Sequence, residues 1–288
     1  MTTCYRHPGR ETNVSCSNCG NPICPECMTP SPVGMRCPDC SQERQTVIRA
    51  RDAVQRTAFQ IAPVTVTLIA INALVFLAEL LTGGAGVGGG DFKGSVLENG
   101  AFWAPGIAAG DYWRIITAGF LHAGLFHIAM NMLLLWFLGS LLEPAIGGLR
   151  FAVIYFTSLI AGSLGAMLLE PNAAAVGASG AVFGLMGAAL VAFYSRGLNP
   201  FESGIGGLLV LNLVITFAVP GISKGGHLGG VVGGLLAGAI VFLLDEKLGA
   251  FGRARWLAPV ICAAVGVACF FATIYLARQE FPPELTGL

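Results

Sequence analysis

The chain has 288 residues, of which 55% are hydrophobic and 11% are charged, and its mean hydropathy is +0.72. Soluble domains carry about 25% charged residues, so this composition excludes an ordinary water-soluble protein. The 16 basic and 16 acidic residues give a formal net charge of zero, which argues against a nucleic-acid partner. We expect an all-α membrane protein, because a helix satisfies its own backbone groups in lipid.

The chain opens with a cluster of cysteines, since seven of the nine lie within the first 40 residues. With one histidine they form four pairs, each with a two-residue gap: Cys4 with His7, Cys16 with Cys19, Cys24 with Cys27, and Cys37 with Cys40. Such a gap lets both side chains of a pair reach one ion, and eight donors suffice for two tetrahedral sites. Residues 1–42 are therefore predicted to bind two structural Zn²⁺ ions. Disulfide pairing in an oxidising compartment is the alternative.

The order and spacing of these pairs resemble a B-box zinc finger. The resemblance implies interleaved sites, with one ion on Cys4, His7, Cys24 and Cys27 and the other on Cys16, Cys19, Cys37 and Cys40. A sequential arrangement stays open. Closed sites of this kind have no position for a catalytic water, so no cofactor is expected for catalysis. The expected role of the module is contact with a protein partner or regulation.

A basic linker at 43–60 and seven apolar runs follow the module. The runs lie at about 61–81, 123–142, 151–169, 173–194, 204–219, 225–244 and 256–277. A membrane span needs about 20 apolar residues, so seven transmembrane helices are predicted. We assign six of them to a core at 61–245. A loop, the seventh helix and a tail then occupy 246–288.

The distribution of basic residues predicts the orientation of these helices. The sequence opens without a charged and then apolar leader, so the amino terminus is expected in the cytoplasm. Twelve of the 16 basic residues then fall in inner segments and four in outer segments, as the positive-inside rule requires. The second, fourth and sixth helices begin on the outer side in this topology. A bacterial plasma membrane suits this order best.

A serine and a histidine stand at the beginning of two of these outer-starting helices. Ser179 lies within Gly177-Ala178-Ser179-Gly180, and His227 precedes a run of glycines. Ionisable groups at membrane depth are costly and are therefore candidates for function. A serine with a histidine that can take its proton is the minimum for nucleophilic acyl transfer. No acidic residue is placed to complete a triad, so the sequence predicts a Ser–His dyad.

Polar residues also mark the beginning of the second helix. His127 and Asn131 are four residues apart and share a helix face. Both can donate hydrogen bonds to a developing oxyanion, together with the backbone amide of Ser179. The alternative is that they only tie helices together. His122, at the membrane edge, is expected to hold loop structure.

These residues jointly resemble the rhomboid family of intramembrane serine proteases. The motifs that carry the resemblance are Trp113-Arg114, His122-x4-His127-x3-Asn131, Glu143, Gly177-Ala178-Ser179-Gly180, and His227 leading into Gly230-x3-Gly234. The resemblance implies a six-plus-one helical bundle in which Ser179 and His227 form the dyad. It also implies an oxyanion site of His127, Asn131 and the Ser179 amide, and structural roles for Arg114 and Glu143. Phe183 would lie under the catalytic imidazole, and Thr82–Thr117 would pack as a loop beside the bundle.

The expected function is therefore that of a serine endopeptidase in the lipid bilayer. Its substrates would be transmembrane segments of other proteins, cleaved near the outer, extracytoplasmic face. The alternative is a catalytically inactive rhomboid-like protein that binds membrane clients. A transporter or channel is disfavoured, because the polar cluster is confined to one end of the helices and no internal repeat is present.

Overall fold

The computed structural model describes residues 2–31, 34–42, 62–83, 94–244 and 256–282. The chain divides into two compact units, Met1–Arg56 and Thr57–Leu288. The predicted basic linker at 43–60 lies outside the described residues, as do residues 84–93 of the predicted outer loop and residues 245–255.

The first unit consists of short elements around its cysteines. Strand β1 (Thr2–Thr3) pairs antiparallel with β2 (Glu11–Thr12), and β3 (Thr29–Ser31) pairs antiparallel with β4 (Gly34–Arg36). A 3₁₀ turn at Pro25–Cys27 and helix α1 (Pro38–Gln42) complete the described part. Its buried cluster consists of six cysteines and Ile23. So small an apolar core does not stabilise a unit of this size without further links between its segments.

The second unit is helical in its described residues. In chain order its helices are α2 (Pro63–Leu81), α3 (Ser95–Gly100), α4 (Ala104–Ala109), α5 (Arg114–Thr117), α6 (Leu125–Ile146), α7 (Gly148–Leu169), α8 (Ser179–Ser195), α9 (Ile205–Ala218), α10 (Lys224–Ala239) and α11 (Leu257–Glu280). A 3₁₀ turn follows α5 at Ala118–Phe120, and a π-helical turn extends α10 at Ile240–Leu244. The predicted all-α class is confirmed, and each of the seven apolar runs contains a helix.

Five of these helices are long and apolar enough to cross a membrane, namely α2, α6, α7, α10 with its π-helical turn, and α11. Helices α8 and α9 are apolar but shorter, with 17 and 14 residues. The run that begins at Ala173 becomes helical only at Ser179. The residues before Ser179 are not helical because Ala175 pairs with Phe102 through two backbone hydrogen bonds of 2.9 and 3.1 Å, and because Gly177 has a φ of +131°. The serine therefore stands at a helix start, not within a span.

Helix α10 packs between α7 and α8 with its glycines in contact with both. A Cβ on Gly234 would lie 1.9 Å from the carbonyl oxygen of Gly184 in α8, and one on Gly229 would lie 2.3 Å from the carbonyl oxygen of Ala161 in α7. No side chain fits at such distances, so the three helix backbones are in direct contact. In the sequence, Gly180 with Gly184 and Gly230 with Gly234 have the four-residue spacing that predicts a close approach of two helices, and α8 and α10 do approach closely. Helix α10 has a second glycine face, which contacts α7.

Buried polar contacts join other parts of this unit. The carboxylate of Glu143, near the end of α6, accepts hydrogen bonds from the backbone N–H groups of Val64 and Thr65, both at 2.8 Å, and from the Thr65 hydroxyl at 2.7 Å. Arg114 donates to the Asp111 carboxylate and to the carbonyl oxygen of Glu98. These contacts fix the start of α2 and the segment between α3 and α5, as expected for structural residues.

Candidate active site and metal centres

The side chains of Ser179 and His227 meet at the starts of α8 and α10. The serine Oγ lies 2.8 Å from Nε2 of the histidine, within hydrogen-bonding distance. The imidazole stacks on the ring of Phe183, with centroids 4.0 Å apart and an interplanar angle of 20°. His227 is buried, with 8% of its surface exposed, and Ser179 is half-buried. The structure thus brings together the three residues that the sequence placed at this site.

The first turn of α10, which carries the histidine, is held by hydrogen bonds from outside the helix. Ser223 is the N-cap residue, and its Oγ accepts from the N–H of Gly226 at 3.0 Å. The carboxylate of Glu170 accepts from the Ser223 hydroxyl at 2.8 Å and from the N–H of Gly225 at 3.1 Å. A carboxylate at a helix N-terminus is favourable, because it faces unpaired N–H groups. The sequence analysis did not predict this contact of Glu170, although a serine before a helix is a recognisable capping signal.

The opposite nitrogen of the His227 ring also has a partner. Nδ1 lies 2.7 Å from Oγ1 of Thr216, which belongs to α9 and is fully buried. Sequence reasoning missed this residue as well. A single threonine inside an apolar helix gives no signal of function, because threonine commonly bonds its own helix backbone there.

His127 lies against the loop that precedes the serine. A Cβ on Gly177 would be 2.9 Å from His127 Nε2 and 3.4 Å from Ser179 Oγ, so both atoms border the same small space. The backbone N–H of Ala123 donates to His127 Nδ1 at 3.3 Å, which leaves the ring proton on Nε2. His127 therefore presents a donor beside the serine.

Asn131 lies one helical turn further along α6 and is buried. Its side-chain amide donates one hydrogen bond to the carbonyl oxygen of His127 at 2.9 Å. A second N–H remains on the same nitrogen, since a primary amide has two. The structure thus places Asn131 next to His127, with one of its two donors used inside the helix.

His122 is fully buried beside this group and contacts it through its ring edge. Its ring centroid lies 5.1 Å from that of His127, in an edge-on arrangement. Its backbone N–H donates to the buried carboxylate of Glu79, at 3.1 and 3.3 Å to the two oxygens. The Glu79 carboxylate therefore holds the chain at His122 and makes no hydrogen bond to His227 in the described residues. These contacts agree with the expected loop role of His122.

A cavity of about 50 Å³ opens beside Ser179 and His227. Small residues contribute much of its lining, among them Gly119, Gly162 and Ala166. The cavity therefore offers room for a small group next to the serine oxygen.

In the first unit the cysteines and one histidine form two clusters. Cys4, His7, Cys24 and Cys27 form one, and Cys16, Cys19, Cys37 and Cys40 form the other, with the ligand atoms of each cluster within 4.8 Å of one another. These are the interleaved sets, and not the sequential ones. Seven of the eight residues are cysteines, which are ligands typical of structural zinc.

The distances within the clusters fit a tetrahedral ion. Nδ1 of His7 lies 3.4 Å from the Sγ atoms of Cys24 and Cys27 and 3.8 Å from Sγ of Cys4. Zinc bonds of about 2.0–2.3 Å in tetrahedral geometry separate neighbouring ligand atoms by roughly 3.5 Å. In the second cluster, backbone N–H groups, that of Cys19 foremost, lower the pKa of the Cys16 thiol to about 6. This shift favours the thiolate, which is the form that binds metal.

Comparisons with known proteins assign the membrane unit. Residues 109–244 match the family described as the Rhomboid domain. The putative rhomboid protease YdcA of Bacillus subtilis (strain 168) is 35% identical over 146 residues, which cover 49% of this chain and 72% of that protein. The chain belongs to the rhomboid family. The rhomboid match contains Ser179, His227, His127 and Asn131, whereas the eight candidate metal ligands precede it.

Other rhomboid relatives differ in activity. Rhomboid protease GluP of Bacillus subtilis (strain 168) is 34% identical over 266 residues, or 85% of this chain and 51% of that protein. Inactive RHOMBOID-like protein 8 of Arabidopsis thaliana is 38% identical over 146 residues, or 48% of this chain and 41% of that protein. The chain thus spans about half, or less, of the length of these two relatives. Membership of the rhomboid family is therefore compatible with proteolytic activity and with its absence.

Proposed function

We propose that this protein is an intramembrane serine endopeptidase that cleaves transmembrane segments of membrane proteins near the outer face of the bilayer. The observation that carries the proposal is the 2.8 Å contact between Ser179 Oγ and His227 Nε2. A histidine nitrogen at this distance can take the serine proton, which makes the hydroxyl a nucleophile. Support also comes from the rhomboid proteases among the relatives.

In the first step, Ser179 Oγ bonds to the carbonyl carbon of the substrate while its proton passes to His227 Nε2. The carbon–nitrogen bond of the peptide then breaks, and His227 returns the proton to the departing amine. The product is an ester between Ser179 and the amino-terminal part of the substrate. Water attacks this ester with His227 again as the base, which releases the acid and restores the serine.

The negative charge on the carbonyl oxygen requires donors that are already in place. Ser179 is the first residue of α8, so its backbone N–H has no acceptor within the helix. We assign this N–H, the Nε2–H of His127 and the free amide N–H of Asn131 to the oxyanion site. Preorganised donors of this kind typically contribute about 10²- to 10³-fold each to kcat.

The two clusters of cysteine and histidine side chains support a structural assignment. We propose that residues 1–42 hold two Zn²⁺ ions on the interleaved ligand sets and serve contact with a protein partner or regulation. Every ligand position is filled by a protein side chain, so these ions have no part in peptide hydrolysis. Residues 43–60 would be a linker, 61–245 the protease core, and 246–288 the loop, seventh helix and tail.

The orientation is also a proposal, supported by the distribution of basic residues. The amino-terminal module would lie in the cytoplasm, and the active site would open to the extracytoplasmic side of a bacterial cell membrane. The starts of α6, α8 and α10 would then lie at the same outer face. Water needed for hydrolysis would enter from that side.

A second candidate is a catalytically inactive rhomboid-like protein that binds membrane clients. It is favoured by the similarity to a relative named as inactive. Such a protein has no need of a nucleophile and a base in contact, and here both are present. Covalent labelling of Ser179 by a fluorophosphonate distinguishes the two, because the reagent requires an activated serine.

Replacement of the nucleophile tests the proposal directly. In Ser179→Ala the attacking oxygen is lost, so we expect cleavage to fall by at least about 10³-fold while the fold is retained. The measurement is cleavage of a panel of transmembrane reporter proteins by the full chain in liposomes, with thermal unfolding recorded in parallel. Ser195→Ala is a matched control, because its hydroxyl lies at the opposite end of α8, donates to the carbonyl oxygen of Ala192 at 3.0 Å and does not line the cavity beside Ser179.

Two outcomes would contradict the dyad. One is reporter cleavage by Ser179→Ala at the wild-type rate. The other is an unlabelled wild-type protein that also cleaves no reporter, which would favour the client-binding alternative.

A further inference from the structure

The buried hydroxyl of Thr216 makes two short hydrogen bonds. One joins α9 to the imidazole of His227, and the other lies within α9 itself. Oγ1 of Thr216 lies 2.7 Å from His227 Nδ1 and 2.7 Å from the carbonyl oxygen of Asn212. Thr216 is fully buried, and His227 is nearly so. Both contacts are therefore made away from bulk water, where an unsatisfied polar atom would be costly.

The number of protons decides the direction of these bonds. A carbonyl oxygen can only accept, so the single hydroxyl proton of Thr216 goes to Asn212. The hydroxyl oxygen then faces the imidazole with lone pairs only, and the bond to the ring requires a proton on Nδ1. A neutral imidazole has one N–H, so Nε2 is left with a lone pair directed at Ser179 Oγ.

We propose that Thr216 is a positioning residue that holds His227 in the tautomer able to accept the serine proton. The proposal rests on the proposed function of the Ser179 site. Phe183 stacks against the face of the ring, which limits its tilt but does not select a tautomer. The Thr216 oxygen accepts a hydrogen bond from Nδ1 and thereby selects the tautomer that is protonated on this nitrogen.

A neutral hydroxyl suits this position in a membrane unit. Serine hydrolases of the triad type orient the histidine with a carboxylate, which also stabilises the imidazolium. A buried carboxylate would need compensation for its lost hydration, whereas a threonine in a helix needs only its own carbonyl at i−4. Thr216 orients the imidazole ring, whereas stabilisation of the imidazolium charge falls to other groups around the ring.

The test compares Thr216→Val with Thr216→Ser. Valine has the shape of threonine without the hydroxyl, and serine keeps the hydroxyl. For Thr216→Val we expect kcat to fall on the order of 10- to 100-fold with KM little changed, because a hydrogen bond to a group that becomes charged is lost. For Thr216→Ser we expect kcat within about threefold of wild type, as the hydroxyl is retained.

Thr273→Val is the matched control. Thr273 is likewise fully buried and donates to the carbonyl oxygen four residues earlier, Cys269, at 2.8 Å, but it lies on α11 and makes no contact with His227. The control variant should keep kcat per active site, as counted by fluorophosphonate labelling. The proposal is overturned if Thr216→Val keeps wild-type kcat, if Thr216→Ser is as slow as Thr216→Val, or if Thr273→Val loses as much.

A second measurement does not depend on activity. Nitrogen NMR of histidine-labelled protein, with four histidines to assign, distinguishes a protonated Nδ1 from a protonated Nε2. We expect His227 to carry its proton on Nδ1 in wild type and to lose this preference in Thr216→Val. A proton on Nε2 in wild type would overturn the inference. An inactive wild type with the proton on Nδ1 would overturn only the proposed function.

Discussion

The two units of this chain are stabilised in opposite ways. Among the described residues of Met1–Arg56, the buried cluster consists of six cysteines that are candidate metal ligands and one aliphatic residue, Ile23. In Thr57–Leu288 the central helices touch through glycine backbones, as at Gly184 and Gly234. On the proposed zinc assignment, the first unit depends on bonds that form only with an ion. The second unit depends on backbone contact that a side chain added at these glycines would remove.

This difference explains why each unit was recognisable from sequence by a different kind of pattern. In each candidate metal site the ligands come as pairs with a two-residue gap, so each pair is a local signal in the sequence. Close-packed membrane helices place small residues at intervals of four, which is a periodic signal. Removal of metal should thus disturb one unit, and an added side chain the other.

The largest expected effect is that of metal removal. Structural zinc contributes about 10–16 kcal/mol of binding free energy to small domains, so chelation should unfold residues 2–42. We expect two zinc ions per chain before treatment with a strong chelator, and rapid proteolysis of the module after it. Cleavage of a reporter by the membrane unit should continue at its initial rate.

Single cysteine variants sharpen this test. Cys37→Ser, within one cluster, should lower the zinc content from two ions to one, because a tetrahedral site needs four ligands. Cys269→Ser is the control, since this cysteine lies on α11 outside both clusters. Two ions bound to Cys37→Ser, or a module that resists protease after chelation, would contradict the structural role of zinc.

Much of the candidate site could be predicted because its residues are unusual for their surroundings. Ser179 is the first residue of α8 and His227 the fourth residue of α10, both helices are mostly apolar, and glycines follow both residues at helical spacing. Thr216 and Glu170 could not be predicted in this way. Their partners are 11 and 53–55 residues away, and their roles exist only once α9, α10 and the connection between α7 and α8 are folded together.

The fold shows the same division between local and non-local information. The seven apolar runs predicted the helices, because composition is a local property. The late start of α8 was not predicted, because it depends on pairing between Phe102 and Ala175, which are distant in sequence. Apolar residues in an extended segment look the same as apolar residues in a helix when only hydropathy is read.

An added side chain in the glycine contact should have the next largest effect. A Cβ at Gly234 would lie 1.9 Å from a backbone oxygen that cannot move without its helix. For Gly234→Val we expect the free energy of unfolding of the membrane unit to fall by about 3 kcal/mol or more, with loss of cleavage. The measurements are denaturant titration in detergent and the reporter assay. The zinc content should stay at two ions per chain.

Gly207→Val is the matched control for this variant. Gly207 is also a helical glycine, on α9, but a Cβ there would meet no atom within 4 Å. The cost should be small, since valine lies in open space and replaces a poor helix former. Equal destabilisation by the two variants would show that the membrane unit does not depend on the close contact of α8 and α10.

The smallest expected effect is that of Glu143→Gln, which tests whether polar contacts stabilise the membrane unit in addition to the glycine packing. Glu143 is buried and accepts three hydrogen bonds at the start of α2, and in Glu143→Gln one of its two acceptor oxygens becomes an amide donor. We expect the free energy of unfolding to fall by about 2 kcal/mol, because hydrogen bonds to a charged group are lost and donors are left unpaired. Denaturant titration measures the change, with kcat per labelled serine unaltered.

Glu202→Gln, at an exposed position before α9, is the control and should be neutral. If the two variants are equally stable, the membrane unit is held by its backbone contacts without help from this carboxylate.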